Sequence, residues 1–174
     1  MSYCFRKRFG EGERLSEKQE RLGDDIYFYL KDEEYGFLSN FYPSPFIIEE
    51  TTYKTVEHFY QSMKTDDPLI RDWINNAPKP YLAMKAGKYL IEKDGFIKNW
   101  ENMKTSYMKI GLLAKFDQNQ DLRNKLLETG NARLHEKSPT DLFWGYLGAD
   151  MLGLLLMDVR NSMRIKYDEK EGRD

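Results

Sequence analysis

Within YKTVEHFYQSMK, residues 53–64, the chain gathers a carboxylate, an imidazole, an amide and an ammonium in Glu57, His58, Gln61 and Lys64. At 100° per residue, Val56, Phe59, Tyr60 and Met63 fall on one apolar stripe of a helix, and Glu57, Gln61 and Lys64 line up on the flank beside it, at the edge of the core. Thr55 is placed as the N-cap. Glu57 then lies in the first turn, where free N–H groups and the helix dipole favour the ionised carboxylate. A charged carboxylate against an apolar wall suits general-base work. The plainer reading is that Glu57 only satisfies the helix start and that Gln61 and Lys64 are solvated.

A second constellation is Glu136 to Gly148, EKSPTDLFWGYLG, in which Asp141 precedes Phe143 and Trp144. An Asp after Ser-Pro-Thr is what a local side-chain-to-backbone cap selects. As the second carboxylate of an aromatic-walled site, it would instead complete a kit for glycosidic cleavage, one group stabilising an oxocarbenium-like carbon while the other moves a proton. Trp100, with Glu101 and Lys104 after it, fits a core anchor and equally a platform that stacks a base or sugar while the lysine meets phosphate. Lys64 and Lys104 also permit attack by a partly desolvated amine on an opened ribose, forming a Schiff base.

These residues need elements to hold them. Ile26 to Leu30 is aromatic and β-branched and reads as a strand, and Phe46 to Glu49 with Thr51 to Lys54 as a short hairpin that feeds the Glu57 helix. Between them GFLSNFYPSP, 36–45, is an apolar loop. Asp67-Pro68 and Pro78-Lys79-Pro80 open helices over 68–76 and 80–91, and Asp94-Gly95 breaks the run. Helical spacing returns over Trp100 to Phe116. Asp121 to Glu128 is a further helix stopped by a left-handed Gly130, and Leu152, Leu155, Leu156, Val159 and Met163 mark a last amphipathic helix. The tail from Asp168 is charged and expected to fray.

The 174 residues bound one domain. Charged residues are 32%, and the net charge of −2 gives no bulk argument for coating nucleic acid or anionic membrane, so any phosphate site must be local. The single Cys4 excludes an intramolecular disulfide. With only His58 and His135 beside it, no spaced zinc set can be drawn, and a reducing, cytoplasmic setting fits best. No apolar run approaches the roughly 20 residues of a membrane span, and the start MSYCFRKRFG lacks the apolar segment of a secretion signal. No P-loop, G-x-G-x-x-G or H-E-x-x-H occurs. The basic and aromatic arm of residues 1–25 reads as a solvated extension, or as a segment able to stack and neutralise nucleic acid.

Six segments in order, LSNFYPSPF at 38–46, YKTVEHFYQSMK at 53–64, NWENMK at 99–104, KF-x-QN at 115–119, LLETG at 126–130 and Glu136 to Arg160, resemble the NADAR family, also called YbiA-like. The resemblance spans about residues 26–165, between the extension at 1–25 and a charged tail at 166–174. It implies an α+β fold, a mainly helical single domain with a small antiparallel sheet near the N-terminal half. It also implies an N-glycosidase that cleaves ribose from a base or amine in riboflavin-pathway ribosylaminopyrimidine phosphates or ADP-ribosylated guanine, the latter free or carried on nucleic acid, with no cofactor and no membrane partner. A non-catalytic ADP-ribose or nucleotide-binding module, or a purely structural domain, are the competing classes. By motif the catalytic set falls on Glu57, Trp100 and Asp141, and Asn40, Phe41, His58, Gln61, Lys64, Lys104 and Trp144 are expected to line the pocket. The chain departs from the family at Trp144-Gly145-Tyr146-Leu147-Gly148, where a tight W-G-x-G is usual, and at Asp150-Met151, where an asparagine-containing turn is usual.

Overall fold

Helix starts follow the caps in the sequence. In the computed structural model, which describes residues 25–91 and 96–171, helix α1 (Val56–Ser62) opens with the Thr55 hydroxyl accepting His58 N–H at 3.2 Å. Helix α2 (Pro68–Asn75) opens on Asp67, whose Oδ1 accepts from the N–H groups of Leu69 and Ile70 at 2.8 and 3.3 Å. α3 (Pro80–Ile91) also begins at a proline, and α4 (Trp100–Gln118) follows Asn99 at φ 72°. α5 (Gln120–Glu128) ends before Gly130, which is left-handed at φ 59° as the sequence suggests. α6 (Met151–Glu171) carries helical backbone past Asp168, where fraying was expected. The charged arm before Asp25 and the Asp94-Gly95 break lie outside the described residues.

The antiparallel sheet is the hairpin of β2 (Phe46–Ile48) and β3 (Thr51–Tyr53), with Phe46 opposite Tyr53. Its two turn residues, Glu49 and Glu50, both have positive φ, 48° and 66°, the requirement of a type I′ turn, met here without glycine. The first strand, β1 (Asp25–Phe28), is shorter than the pattern suggests. It pairs in parallel with β4 (Arg133–Glu136), so that Phe28 stands opposite Glu136. This ladder is separate from the hairpin, and the sequence pattern offered no sign of it.

The main core joins Phe28, Phe46, Val56, Phe59, Met108, Leu112, Phe116, Leu134, Leu156 and Val159. Burying each such side chain contributes about 1.5–3 kcal/mol, and truncating Phe59 to Ala should cost about 3–5 kcal/mol. A smaller cluster of Ile74, Ala83, Ala86 and Leu90 bonds α2 to α3. α1 threads between these masses. Every residue from Val56 to Ser62 is buried, so the polar flank expected at the edge of the core lies inside it.

Candidate active site

Glu57 is 3% exposed, and both its oxygens are engaged. Asn40 Nδ2 donates to Oε2 at 2.5 Å and Gln61 Nε2 to Oε1 at 2.6 Å, and Glu57 N–H donates to the Asn40 carbonyl at 3.0 Å. The loop 36–45 therefore supplies Asn40 to the first turn of α1, while Gln61 arrives from the next turn. Burial raises the Glu57 carboxyl to about 7, against the lowering pull of Gln61, Lys64 and Asn40, and Asp141 adds a further push upward. Glu57 does lie in the first turn of α1, but desolvation outweighs the helix dipole there.

Lys64, 6% exposed, sits with its Nζ 5.5 Å from the ring centres of both Tyr60 and Trp100. Burial lowers its ammonium to about 8, while Glu57 and Glu101 hold the proton on. Burial also pushes the Tyr60 phenol well above its usual range, with Glu57 assisting, so Tyr60 stays neutral. Trp100 is 3% exposed, stacked on Tyr107 at 5.8 Å and closed in by Tyr60 and Phe96. It forms the buried wall beneath Lys64. The half-buried rings are Phe143 and Trp144, which meet edge to face at 4.9 Å, and Trp144 meets Tyr60 at 5.7 Å. Lys104 Nζ lies 3.6 Å from the Phe143 ring centre and 2.6 Å from Glu101. An unbroken row of rings thus runs from Lys104 through Phe143, Trp144 and Tyr60 to Trp100 and Lys64.

Asp141 closes a turn as the plainer reading held: its Oδ1 accepts from the N–H groups of Phe143 and Trp144 at 2.9 and 2.8 Å. It also acts on Glu57 and on Glu136, so the residue that caps the turn is also electrostatically coupled to both buried carboxyls. His58 points away from this assembly. Its Nε2 faces the Ala77 carbonyl at 3.1 Å and its Nδ1 the Thr55 hydroxyl at 2.8 Å. A carbonyl only accepts, so Nε2 carries the proton and Nδ1 accepts from Thr55; burial lowers the imidazole further and keeps it neutral. His58 ties α1 to the α2–α3 connection. Phe41 is half-buried, its N–H donating to Ser39 Oγ at 3.2 Å.

Glu136 was missed. It ends β4, its N–H donates to Asp150 Oδ1 at 3.2 Å, and its carbonyl accepts from Tyr146 N–H at 2.8 Å. The Oε2 atom is buried without a hydrogen-bond partner, and burial with Asp141, Glu57 and Asp150 nearby raises its carboxyl to about 7. A Glu two residues ahead of Ser138 carries no sequence signal of burial. Among the described residues no three of His, Cys, Asp and Glu are arranged to hold a metal ion. Clefts of about 390 and 470 Å³ open elsewhere, over Ile26, Tyr35 and Lys125 and over Tyr53, Arg71 and Tyr107; neither takes in Glu57, Lys64 or Asp141.

Comparison with known proteins bears on this geometry. The chain is 35% identical over 145 residues to the N-glycosidase YbiA of Escherichia coli, covering 81% of this chain and 89% of that protein. It is 38% identical over 146 residues to an N-glycosidase of Nostoc punctiforme, covering 80% and 92%, and 34% identical over 143 residues to a riboflavin biosynthesis protein of Vibrio vulnificus, covering 80% of this chain and 38% of that one. The NMR structure of E. coli YbiA superposes with a TM-score of 0.73 at 35% identity, over 82% of this chain and 87% of that one. The fold is therefore that of YbiA, mostly helical with a small antiparallel sheet. The NADAR domain model matches residues 27–164, a span that takes in Asn40, Glu57, Lys64, Trp100, Glu136 and Asp141 together, and the chain belongs to the NADAR domain family.

Proposed function

We propose that this N-glycosidase hydrolyses the C–N bond between ribose and a nitrogenous base or amine in a substrate carrying a ribose phosphate or ADP-ribose. The observation that carries the reading is Glu57: a buried carboxyl held on both oxygens by amide donors, raised to about 7, with Asp141 and Lys64 acting on it. A base serves best when its pKa lies near the working pH. In this scheme Glu57 takes a proton from water, Asp141 stabilises the positive charge that develops at the anomeric carbon, and the departing base leaves with the bonding pair. Glu136, whose carboxyl burial and the neighbouring Asp141 raise to about 7, keeps a protonated fraction near neutrality that can supply the proton the leaving group needs. Lys64 and Lys104 meet phosphate, and Phe143 and Trp144 offer the accessible aromatic surface for the base. Trp100 backs Lys64 instead of stacking the base itself.

The name of the Vibrio relative favours a riboflavin-pathway ribosylaminopyrimidine phosphate; ADP-ribosylated guanine, free or on a nucleic acid, is the second substrate class. Among the described residues no helix is long and apolar enough to cross a membrane, and the single Cys4 accords with a cytoplasmic setting. A second chemistry rests on Lys64, whose ammonium burial lowers to about 8. Its neutral amine attacks the anomeric carbon and displaces the base, which leaves with the bonding pair and a proton; the glycosylamine so formed opens its ribose ring, the C–O bond breaking to give a Schiff base that water hydrolyses back to the free amine and sugar.

Purified protein is incubated with each substrate class, and released base and sugar are read by mass spectrometry, with and without borohydride. Release without a borohydride-trapped protein adduct supports the water route, and a trapped adduct at Lys64 supports the amine route. Retention of ligand with no release over long incubation identifies a binding module instead.

A further inference from the structure

Lys115 is a buried amine that the scheme above does not use. It projects from α4 with 0% exposure, and its Nζ donates to the carbonyls of Phe37 and Ser39 at 2.7 and 2.9 Å. The rings of Phe116 and Tyr42 lie 5.1 and 5.5 Å from it. Among the described residues no carboxylate pairs with this ammonium. Burying an unpaired charge is costly, and the hydrocarbon stem alone could be matched by Met. The two carbonyls are what the amine is placed to hold, since a carbonyl can only accept and the N–H groups of Nζ meet both at once.

Those carbonyls flank the residue that matters. Phe37 and Ser39 belong to the turn at Gly36–Leu38 and its exit, and the next residue, Asn40, makes two bonds to Glu57, one from its amide and one through its carbonyl. We propose that Lys115 is a positioning residue for Glu57: by clamping the carbonyls of Phe37 and Ser39 it sets Asn40 on the carboxylate. The charges that act directly on Glu57 are Lys64 from the turn after α1 and Asp141 from the loop after β4, and Glu57 in turn acts on Glu136 at the end of β4 and on Tyr60. Lys115 works through the Asn40 amide. Burial pushes its own ammonium down to about 7, and the two short carbonyl contacts favour keeping the proton.

The proposal rests on the N-glycosidase reading only for its kinetic arm. The Glu57 carboxyl can be titrated by carbon NMR in protein labelled at glutamate Cδ, its signal assigned by its absence from Glu57→Gln. The Asn40 bond holds the Glu57 midpoint down, so Lys115→Met should raise it in the same direction as Asn40→Ala, and the double variant should go no further than Asn40→Ala alone. Turnover should fall about tenfold or more, with kcat lowered more than KM is raised, as misplacement of a catalytic group requires. The acidic limb of kcat/KM should move to higher pH. Should Lys115→Met fail to fold, Lys115→Gln, whose shorter side chain keeps two N–H donors but no charge, carries the comparison. An unchanged Glu57 midpoint in a folded Lys115 variant, or a shift additive with that of Asn40→Ala, overturns the proposal. Absence of turnover by the wild type on every substrate overturns the glycosidase reading and leaves the titration to decide the role of Lys115.

Discussion

Glu57 and Asp141 reach one site from opposite kinds of backbone. Glu57 stands on a helix buried on every side, with both oxygens and its own N–H engaged. Asp141 stands in a loop, half-buried, one oxygen spent on closing a turn. The helix wall is held by packing, by the Gln61 amide of α1 itself and by the Asn40 amide brought from the 36–45 loop; the loop wall is held by its own backbone. Asp150 N–H and Ala149 N–H return to the carbonyls of Gly145 and Leu142 at 3.0 and 2.8 Å, and a Cβ at Gly148 would stand 1.9 Å from the Leu142 carbonyl. The lesson is a division of labour: the carboxylate proposed to move the proton is preorganised where the dielectric is low, and the wall proposed to meet the substrate is built from a tight turn.

The sharpest way to break that division is to remove the charge from the helix wall. Glu57→Gln should lower kcat by about 10²–10⁴-fold, the usual worth of a general base, with the fold retained: Gln61 Oε1 is buried without a partner, and a turn of that amide lets it accept from the new one. Stability gives a second readout. Because the native carboxyl titrates near 7 and the unfolded one near 4.5, the native state binds more protons across that window. Stability must therefore fall as pH rises from 4.5 to 7, by on the order of 3 kcal/mol. The variant lacks this contribution, so thermal melts from pH 5 to 8 should show a smaller decline than the wild type. Glu136, raised in the same direction, leaves a remainder. Full activity in the variant would end the general-base assignment.

On the loop wall, charge and cap can be separated. Asp141→Asn keeps an oxygen for the N–H groups of Phe143 and Trp144 while removing the charge; Asp141→Ala removes both. Both should lose activity, by about 10²-fold if the charge serves the oxocarbenium-like carbon. Only the alanine variant should also lose about 1 kcal/mol of stability, the common cost of a lost cap. Equal melting temperatures in the two variants would show that the cap is idle, and equal activities of the asparagine variant and wild type that the charge is.

A subtler probe touches the helix wall from behind. A Cβ at Gly87 on α3 would lie 1.9 Å from Gln61 Oε1, and the side chain can move where backbone could not. Gly87→Ala should therefore displace Gln61 from Glu57. Since that bond lowers the Glu57 carboxyl, its loss should shift the acidic limb of the rate profile to higher pH and reduce activity at neutral pH by about tenfold, close to the low end of the roughly 1.5–3 kcal/mol worth of one hydrogen bond to a charged group. An unshifted profile would mean that Gln61 is spectator to the carboxylate.

What the sequence could show follows the same division. The Thr55 cap, the apolar stripe of α1, the proline starts of α2 and α3 and the left-handed Gly130 are local chemistry and read directly from neighbouring residues. The burial of Gln61 and Lys64 is not local, because Gly87 stands against Gln61 and Trp100 against Lys64. The parallel pairing of β1 with β4 joins segments more than a hundred residues apart through RLHE, which has no strand-like alternation. Lys115 looked like any lysine of an amphipathic helix, and Glu136 like any loop-edge acid. The residues found by pattern are those whose partners lie within a turn or two; those missed are defined by distant backbone.

The smallest effect tests the departure from the family pattern at Asp150-Met151. Asp150 holds φ 49°, a conformation Asn tolerates as well as Asp. Its Oδ1 accepts from Glu136 N–H and its Oδ2 meets His135 Nδ1 at 2.5 Å. Asp150→Asn keeps the backbone geometry and an oxygen for one of these contacts, so the turn should close as before. What changes is charge: Asp150 is one of the groups that hold the Glu136 carboxyl up, and its neutralisation should let Glu136 ionise at lower pH. If Glu136 supplies the leaving-group proton, the alkaline limb of kcat/KM should move to lower pH in Asp150→Asn while the acidic limb set by Glu57 stays in place. Movement of both limbs together would mean that the two walls titrate as one coupled unit, and movement of neither would remove Glu136 from the reaction.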